Sequence, residues 1–187
     1  MSDRFGISDT TLPGVRILQR QPREDERGWL ERMYGSDDLA EVIGSRSLVQ
    51  VNRTLTRRKG TVRGLHFQVA PSAETKIVSC LRGSVFDVAV DVRRGSGTLL
   101  RWHGEVLSAE NSRSLVIPEG FAHGVQTLTD DVELLYFHTA PYDSANERGI
   151  HPQDPLVGIA WPLPVVQTSE RDKSHDRLTP QFDGIDL

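Results

Sequence analysis

The chain has 187 residues and a net charge of −4, with 37% apolar and 26% charged residues and both signs mixed along its length. That balance supports one packed domain over residues 1–187 and gives no electrostatic case for nucleic acid or a membrane surface as the main partner. One cysteine, Cys80, excludes an intrachain disulfide framework and a cysteine zinc cluster; with no apolar run near ~20 residues and no charged-then-apolar leader at Met1, the expected setting is reducing and cytoplasmic.

In chain order, "DERGWLE" (Asp25 to Glu31) reads first, as a polar, charged strand. "SDDLAEVIG" (Ser36 to Gly44) predicts a short helix, with Ser36 as its cap, Asp37 and Asp38 at its positive end and Gly44 as its stop. "VRGLHFQ" (Val62 to Gln68) reads as a strand, and "TKIVSCL" follows. "SVFDVAVDV" alternates cleanly, with Phe86, Val88, Val90 and Val92 on one face and Asp87, Ala89 and Asp91 on the other. "LLRWHGEVL", "SRSLVIP", "HGVQTL" and "VELLYFHT" continue the pattern, separated by glycine and polar turns. Short, evenly spaced strands from about Ser47 to Thr139 predict an all-β antiparallel sandwich or barrel. The remainder holds Pro141, Pro152, Pro155, Pro162, Pro164 and Pro180, and predicts irregular chain with one short helix, packed against the barrel.

Two stretches carry chemistry. His66 stands in mid-strand, where it faces water, is a hydrogen-bonded core histidine, or lines a cavity; the strand alone does not choose. "IPEGFAHGVQ" (Ile117 to Gln126) has a proline–x–glycine–x–x–histidine spacing ending at His123, which is similar to the second half-motif of cupin barrels, and "GLHFQ" sits where their first half-motif would. Metal cupins carry two histidines one residue apart in the first half; here the second position is Gln68, and an amide is a poor transition-metal ligand. With Glu74 as the available carboxylate, the expectation is no metal and no cofactor.

"RKGTVRGLHFQ", "ETKIVSCLRGSVFDVAVDVRRGSGT", "WHGEVLSAENSRSLVIPEGFAHGVQTL", "LYFHTAPYDSANERGIHPQDPLVGIAWP" and "SERDKS", in this order, resemble the dTDP-4-dehydrorhamnose 3,5-epimerase family over roughly Val15 to Asp172. The resemblance implies a cupin-like jelly-roll homodimer that inverts stereocentres beside the keto group of a nucleotide-linked sugar, most simply a dTDP-linked one, without metal or cofactor. Such inversion needs a base at the carbon, a positive group at the carbonyl oxygen and an acid on the opposite face. His66 suits the base, because a neutral imidazole takes a proton near neutral pH. The resemblance assigns Asp172 to orient it, Lys76 to the developing oxyanion (with Asp87 holding the lysine) and Tyr136 to the acid. Arg63 suits a pyrophosphate clamp, since a guanidinium matches phosphate geometry. Arg63 and His66 fall on opposite faces of a regular strand, and Gly64 offers a bulge that would re-aim one of them. His123, Gln50 and Tyr142 are further expected substrate contacts. Arg27 and Glu31 are expected to reach the nucleotide across the dimer.

The chain departs from the family's commonest pattern in the spacing between Gln50 and His66, one residue longer, and in "APYDSANERG" and "SHDRL". The reaction type is therefore read more firmly than the nucleotide, the sugar or the number of inverted carbons. A sugar-nucleotide 3,4-ketoisomerase, a metal-dependent cupin enzyme and a non-catalytic sugar-nucleotide binding module stand as alternatives.

Overall fold

In a computed structural model, residues 4–187 are described; Met1, and with it the reading of a leader there, lies outside them. The strands are β1 (Phe5–Asp9), β2 (Arg16–Arg20), β3 (Arg23–Asp25), β4 (Gly28–Leu30), β5 (Gln50–Thr56), β6 (Val62–Gln68), β7 (Lys76–Arg82), β8 (Ser84–Asp91), β9 (Trp102–Ser108), β10 (Arg113–Ile117), β11 (Phe121–Thr127), β12 (Val132–His138) and β13 (Glu147–Gly149). Two single-turn helices, α1 (Ala40–Ile43) and α2 (Glu170–Lys173), complete the elements. Every pairing between these strands is antiparallel. One sheet has the order β1-β2-β10-β7-β12-β5 and the other β13-β6-β11-β8-β9. Neighbours in the sheets are mostly non-consecutive in the chain, which is the jelly-roll arrangement the sequence led us to expect.

Three apolar layers hold the sheets. Between them, Val78, Cys80, Leu115, Ile117 and Leu134 meet Val85, Ala89, Leu107, Phe121 and Val125. The outer face of the five-stranded sheet carries Leu65, Phe67, Val88 and Val90, and the C-terminal segment covers it with Ile150, Val157, Trp161 and Phe182. On the outer face of the six-stranded sheet, Leu18, Ile77, Val116 and Phe137 pack beneath Leu39 and Ile43. The alternation in β8 therefore separates two buried faces. Phe86, Val88 and Val90 meet the C-terminal cover, while Val85, Asp87 and Ala89 point between the sheets. This leaves Asp87 fully buried beside the site.

Two local expectations need correction. The predicted helix over Ser36–Gly44 forms only at Ala40–Ile43. Gly44 does stop it, at φ +63°, but Ser36 does not cap it: its hydroxyl donates to Asp37, and Asp38 pairs with Arg32 at 2.9 Å. Burial of Leu39 and Ile43 fixes the segment, rather than capping. "DERGWLE" falls in a two-stranded hairpin, β3 with β4, that forms a sheet of its own rather than a strand of either large sheet. The C-terminal region is irregular with one short helix, as read. Among the described residues no helix is long and apolar enough to cross a membrane.

Candidate active site

A cavity of about 700 Å³ opens between the two sheets. His66 of β6 and His123 of β11 enter it from the five-stranded sheet. Lys76 of β7 and Tyr136 and His138 of β12 enter from the six-stranded sheet, and Asp172 and Arg171 come from α2. The expected bulge is present. His123 pairs with His66 and Val125 with Arg63, so between these pairs two residues of β6, Gly64 and Leu65, oppose one of β11, Gly124. Gly64 sits at φ +120°, and a Cβ there would run into the Gly124 and His123 backbone. The extra residue turns Arg63 to the cavity rim on the same side as His66.

The imidazole of His66 is held by Asp172, whose Oδ1 lies 2.8 Å from Nε2. The other oxygen of Asp172 accepts the Gly64 backbone N–H at 3.1 Å. Burial opposes ionisation of Asp172, but these bonds and the neighbouring imidazole outweigh it and hold the carboxyl below its ordinary value. The acid is positioned locally: Ser169 accepts the Asp172 backbone N–H at 3.0 Å and caps α2. An ionised partner at Nε2 favours a proton there, leaving Nδ1 with the lone pair.

Lys76 is held by Glu74, not by Asp87: Nζ lies 3.1 Å from the Glu74 carboxylate. Glu74 also takes His138 Nδ1 at 2.7 Å. Burial works against ionisation of Glu74, but the His138 bond and the Lys76 charge prevail and keep it below the usual carboxylate range. Asp87 instead holds His123, with Nε2 3.0 Å from its carboxylate. Strand alternation gives the face of Asp87 but not its partner, and Glu74 lies in the loop before β7, where no alternation places it. The Tyr136 ring lies between two imidazoles, 6.0 Å from His123 and 6.1 Å from His138 between centroids. Burial, reinforced by the Asp87 charge, pushes its phenol well above its ordinary value, so the hydroxyl stays protonated. Gln68, where metal cupins place a histidine, ties loops together instead. Its amide donates to Ser72 and Pro141 carbonyls and accepts the Asp143 N–H at 2.6 Å.

The structure does not bring the remaining expected contacts into this cavity. Gln50 accepts the Tyr142 backbone N–H, and the Tyr142 hydroxyl donates to Glu147 at 2.9 Å. Arg27, 84% exposed, pairs with Asp25 on its own hairpin. Glu31 turns inward to the buried Arg20, 3.0 Å away, which corrects the reading of Glu31 as a group free for nucleotide. His138, Arg57, Arg58 and Arg171 line the cavity and were missed. His138 was within reach, because it shares a face with Tyr136 two residues earlier.

The comparisons with known proteins give the family. The dTDP-4-dehydrorhamnose 3,5-epimerase family model matches residues 9–180. A dTDP-4-dehydrorhamnose 3,5-epimerase of Sinorhizobium fredii is 40% identical over 94% of this chain and 91% of its own. A dTDP-4-dehydrorhamnose 3-epimerase of Streptomyces niveus is 39% identical over 87% of this chain and 78% of its own. The crystal structure of dTDP-6-deoxy-D-glucose-3,5-epimerase from Legionella pneumophila, in complex with dTDP-4-keto-L-rhamnose, superposes with a TM-score of 0.88 at 38% identity, covering 92% of each chain. A cupin-like jelly roll with these relatives over nearly its full length is an isomerase, and the chain belongs to the dTDP-4-dehydrorhamnose 3,5-epimerase family.

Proposed function

We propose that this chain epimerises carbons 3 and 5 of a dTDP-linked 4-keto-6-deoxyhexose by stepwise proton removal and return. One observation carries the reading. His66 on one sheet, held by Asp172 of α2, faces Tyr136 and Lys76 on the other sheet, across a cavity rimmed by arginines. His66 takes the proton beside the keto group through Nδ1. Asp172 keeps the tautomer and stabilises the imidazolium that forms. Lys76 meets the oxygen of the enolate, where a preorganised charge in a site shielded from water is most effective. Tyr136, on the opposite wall, returns a proton to the other face of the carbon. Arg63, Arg57, Arg58 and Arg171 give the rim the positive charge that a pyrophosphate needs. His123, steadied by Asp87, lies beside the base and contacts the sugar.

The activity test is conversion of dTDP-4-keto-6-deoxyglucose to the L-configured 4-keto sugar, followed by NMR. The same assay separates this reading from a metal-dependent cupin. After exhaustive chelation the rate should be unchanged, because the chemistry above uses only side chains. Activity lost on stripping metal and regained on adding it back would contradict it.

The assembly we propose is a homodimer in which the β3–β4 hairpin completes the partner's nucleotide site, with Arg27 and, beside it, Tyr142 and Gln50 at the approach. Trp29 and Leu30 are 68% and 63% exposed on the hairpin, and Val51 and Leu55 of the edge strand β5, with Val49 just before it, are exposed. Burying a side chain of leucine size is worth about 1.5–3 kcal/mol, so this surface can drive association. The whole N-terminal segment is unsuitable for deletion, because Leu12, Val15 and Leu18 are core. Trp29→Asp with Leu30→Asp should give a folded monomer by sedimentation, and Arg27→Ala should weaken dTDP binding while leaving the dimer intact. A double variant that stays dimeric, or a monomer of full activity, would contradict this assembly.

A further inference from the structure

We propose that His175, with the dyad His66 and Asp172, forms a site for a divalent transition-metal ion of the zinc class, and that the ion inhibits this chain by occupying its base. One donor atom from each of the three residues lies within 4.8 Å of the other two. Two imidazoles and one carboxylate are a ligand set suited to Zn²⁺ or Co²⁺ and poorly suited to Mg²⁺ or Ca²⁺, which prefer oxygen. Donors around a tetrahedral Zn²⁺ stand ~3.4 Å apart, given bonds of ~2.0–2.1 Å, so a small turn of the His175 ring closes the site.

The room for this ring is built into the fold. Gly149 of β13 pairs directly with His66 of β6, and a Cβ at Gly149 would overlap the His175 ring. With glycine there, His175 settles beside His66, with ring centroids 5.7 Å apart at 75°. His175 Nε2 is buried without a hydrogen-bond partner.

Binding and turnover exclude each other. If the ion takes His66 Nε2, the proton there moves to Nδ1, which keeps the ring neutral but uses up the lone pair that accepts the substrate proton, and the Asp172 bond is replaced by the ion. If it takes Nδ1, the lone pair that accepts the substrate proton is consumed. The ion is therefore an inhibitor, whereas a metal cupin requires its ion.

The binding part rests on geometry alone; the inhibition part rests on the proposed epimerase reading. The metal-free protein is titrated with Co²⁺, followed by its visible ligand-field bands, and with Zn²⁺ by calorimetry and by competition with Co²⁺. Expected are one ion per chain, and an affinity at least about tenfold weaker in both His175→Gln and His66→Ala, since each loses one of three ligands. In the epimerase assay Zn²⁺ should inhibit, EDTA should restore the rate, and His175→Gln should need at least about tenfold more Zn²⁺ relative to its own metal-free rate. Equal affinity in the wild type and His175→Gln would overturn the site. His175-dependent binding in a chain that turns over no sugar nucleotide would support the site and remove the epimerase reading. Zn²⁺ that binds through His175 and accelerates turnover would overturn the inhibitory role.

Discussion

His66→Ala is expected to slow epimerisation by about 10²–10⁴-fold, the contribution a positioned general base makes, and to leave dTDP affinity within a few-fold. The ring is hydrogen-bonded to Asp172 and is partly exposed to the cavity, so its loss leaves a polar, solvent-accessible space. Asp172→Asn should be damaging but less complete. Asp172 accepts two N–H bonds, from Gly64 and from His66. An asparagine can accept only one of them with its oxygen. If it keeps Gly64, its amide donates to Nε2 and reverses the tautomer, which removes the lone pair at Nδ1. Steady-state rates and dTDP titration on the same preparations check both variants. Near-wild-type turnover in His66→Ala would remove His66 from the mechanism.

Tyr136→Phe is expected to separate proton removal from proton return. His66, Asp172, Lys76 and Glu74 all survive the change, so the proton should still leave the sugar. The phenol hydroxyl, kept protonated by burial, is the proposed donor from the opposite sheet. Deuterium should therefore still enter at least one carbon, while inverted product falls by about 10²-fold or more. Mass spectrometry for deuterium and NMR for stereochemistry, on one sample, give both quantities. Equal loss of both would mean that Tyr136 also binds or stabilises the enolate. Full inversion would assign the donor to another group.

Local pattern made much of this legible. The alternation of "SVFDVAVDV" and its neighbours marked the strands, and Gly64 in "VRGLHFQ" marked the bulge that lets Arg63 and His66 share a cavity. Partner choice was not legible. Asp172 reaches His66 across 106 positions of chain and was assigned only through the family resemblance, and Glu74 rather than Asp87 takes Lys76 because the interior face of β8 turns Asp87 toward His123. Such pairings follow from which strands become neighbours, which alternation does not encode. The same limit hid β1 and β2, whose sequences "FGISD" and "RILQR" lack clean alternation yet form the edge of a sheet. His175 could not be found from its spacing, because its position depends on a missing side chain at Gly149, on another element.

The central claim is that the same site removes and returns protons at the two carbons flanking the keto group. It is tested most directly by incubating the wild-type protein with dTDP-4-keto-6-deoxyglucose in deuterium oxide and following each ring proton by NMR. The account predicts loss of the signals at carbons 3 and 5, in metal-free buffer, with an L-configured 4-keto product. Absence of exchange at both carbons, or migration of the keto group to carbon 3, would contradict it.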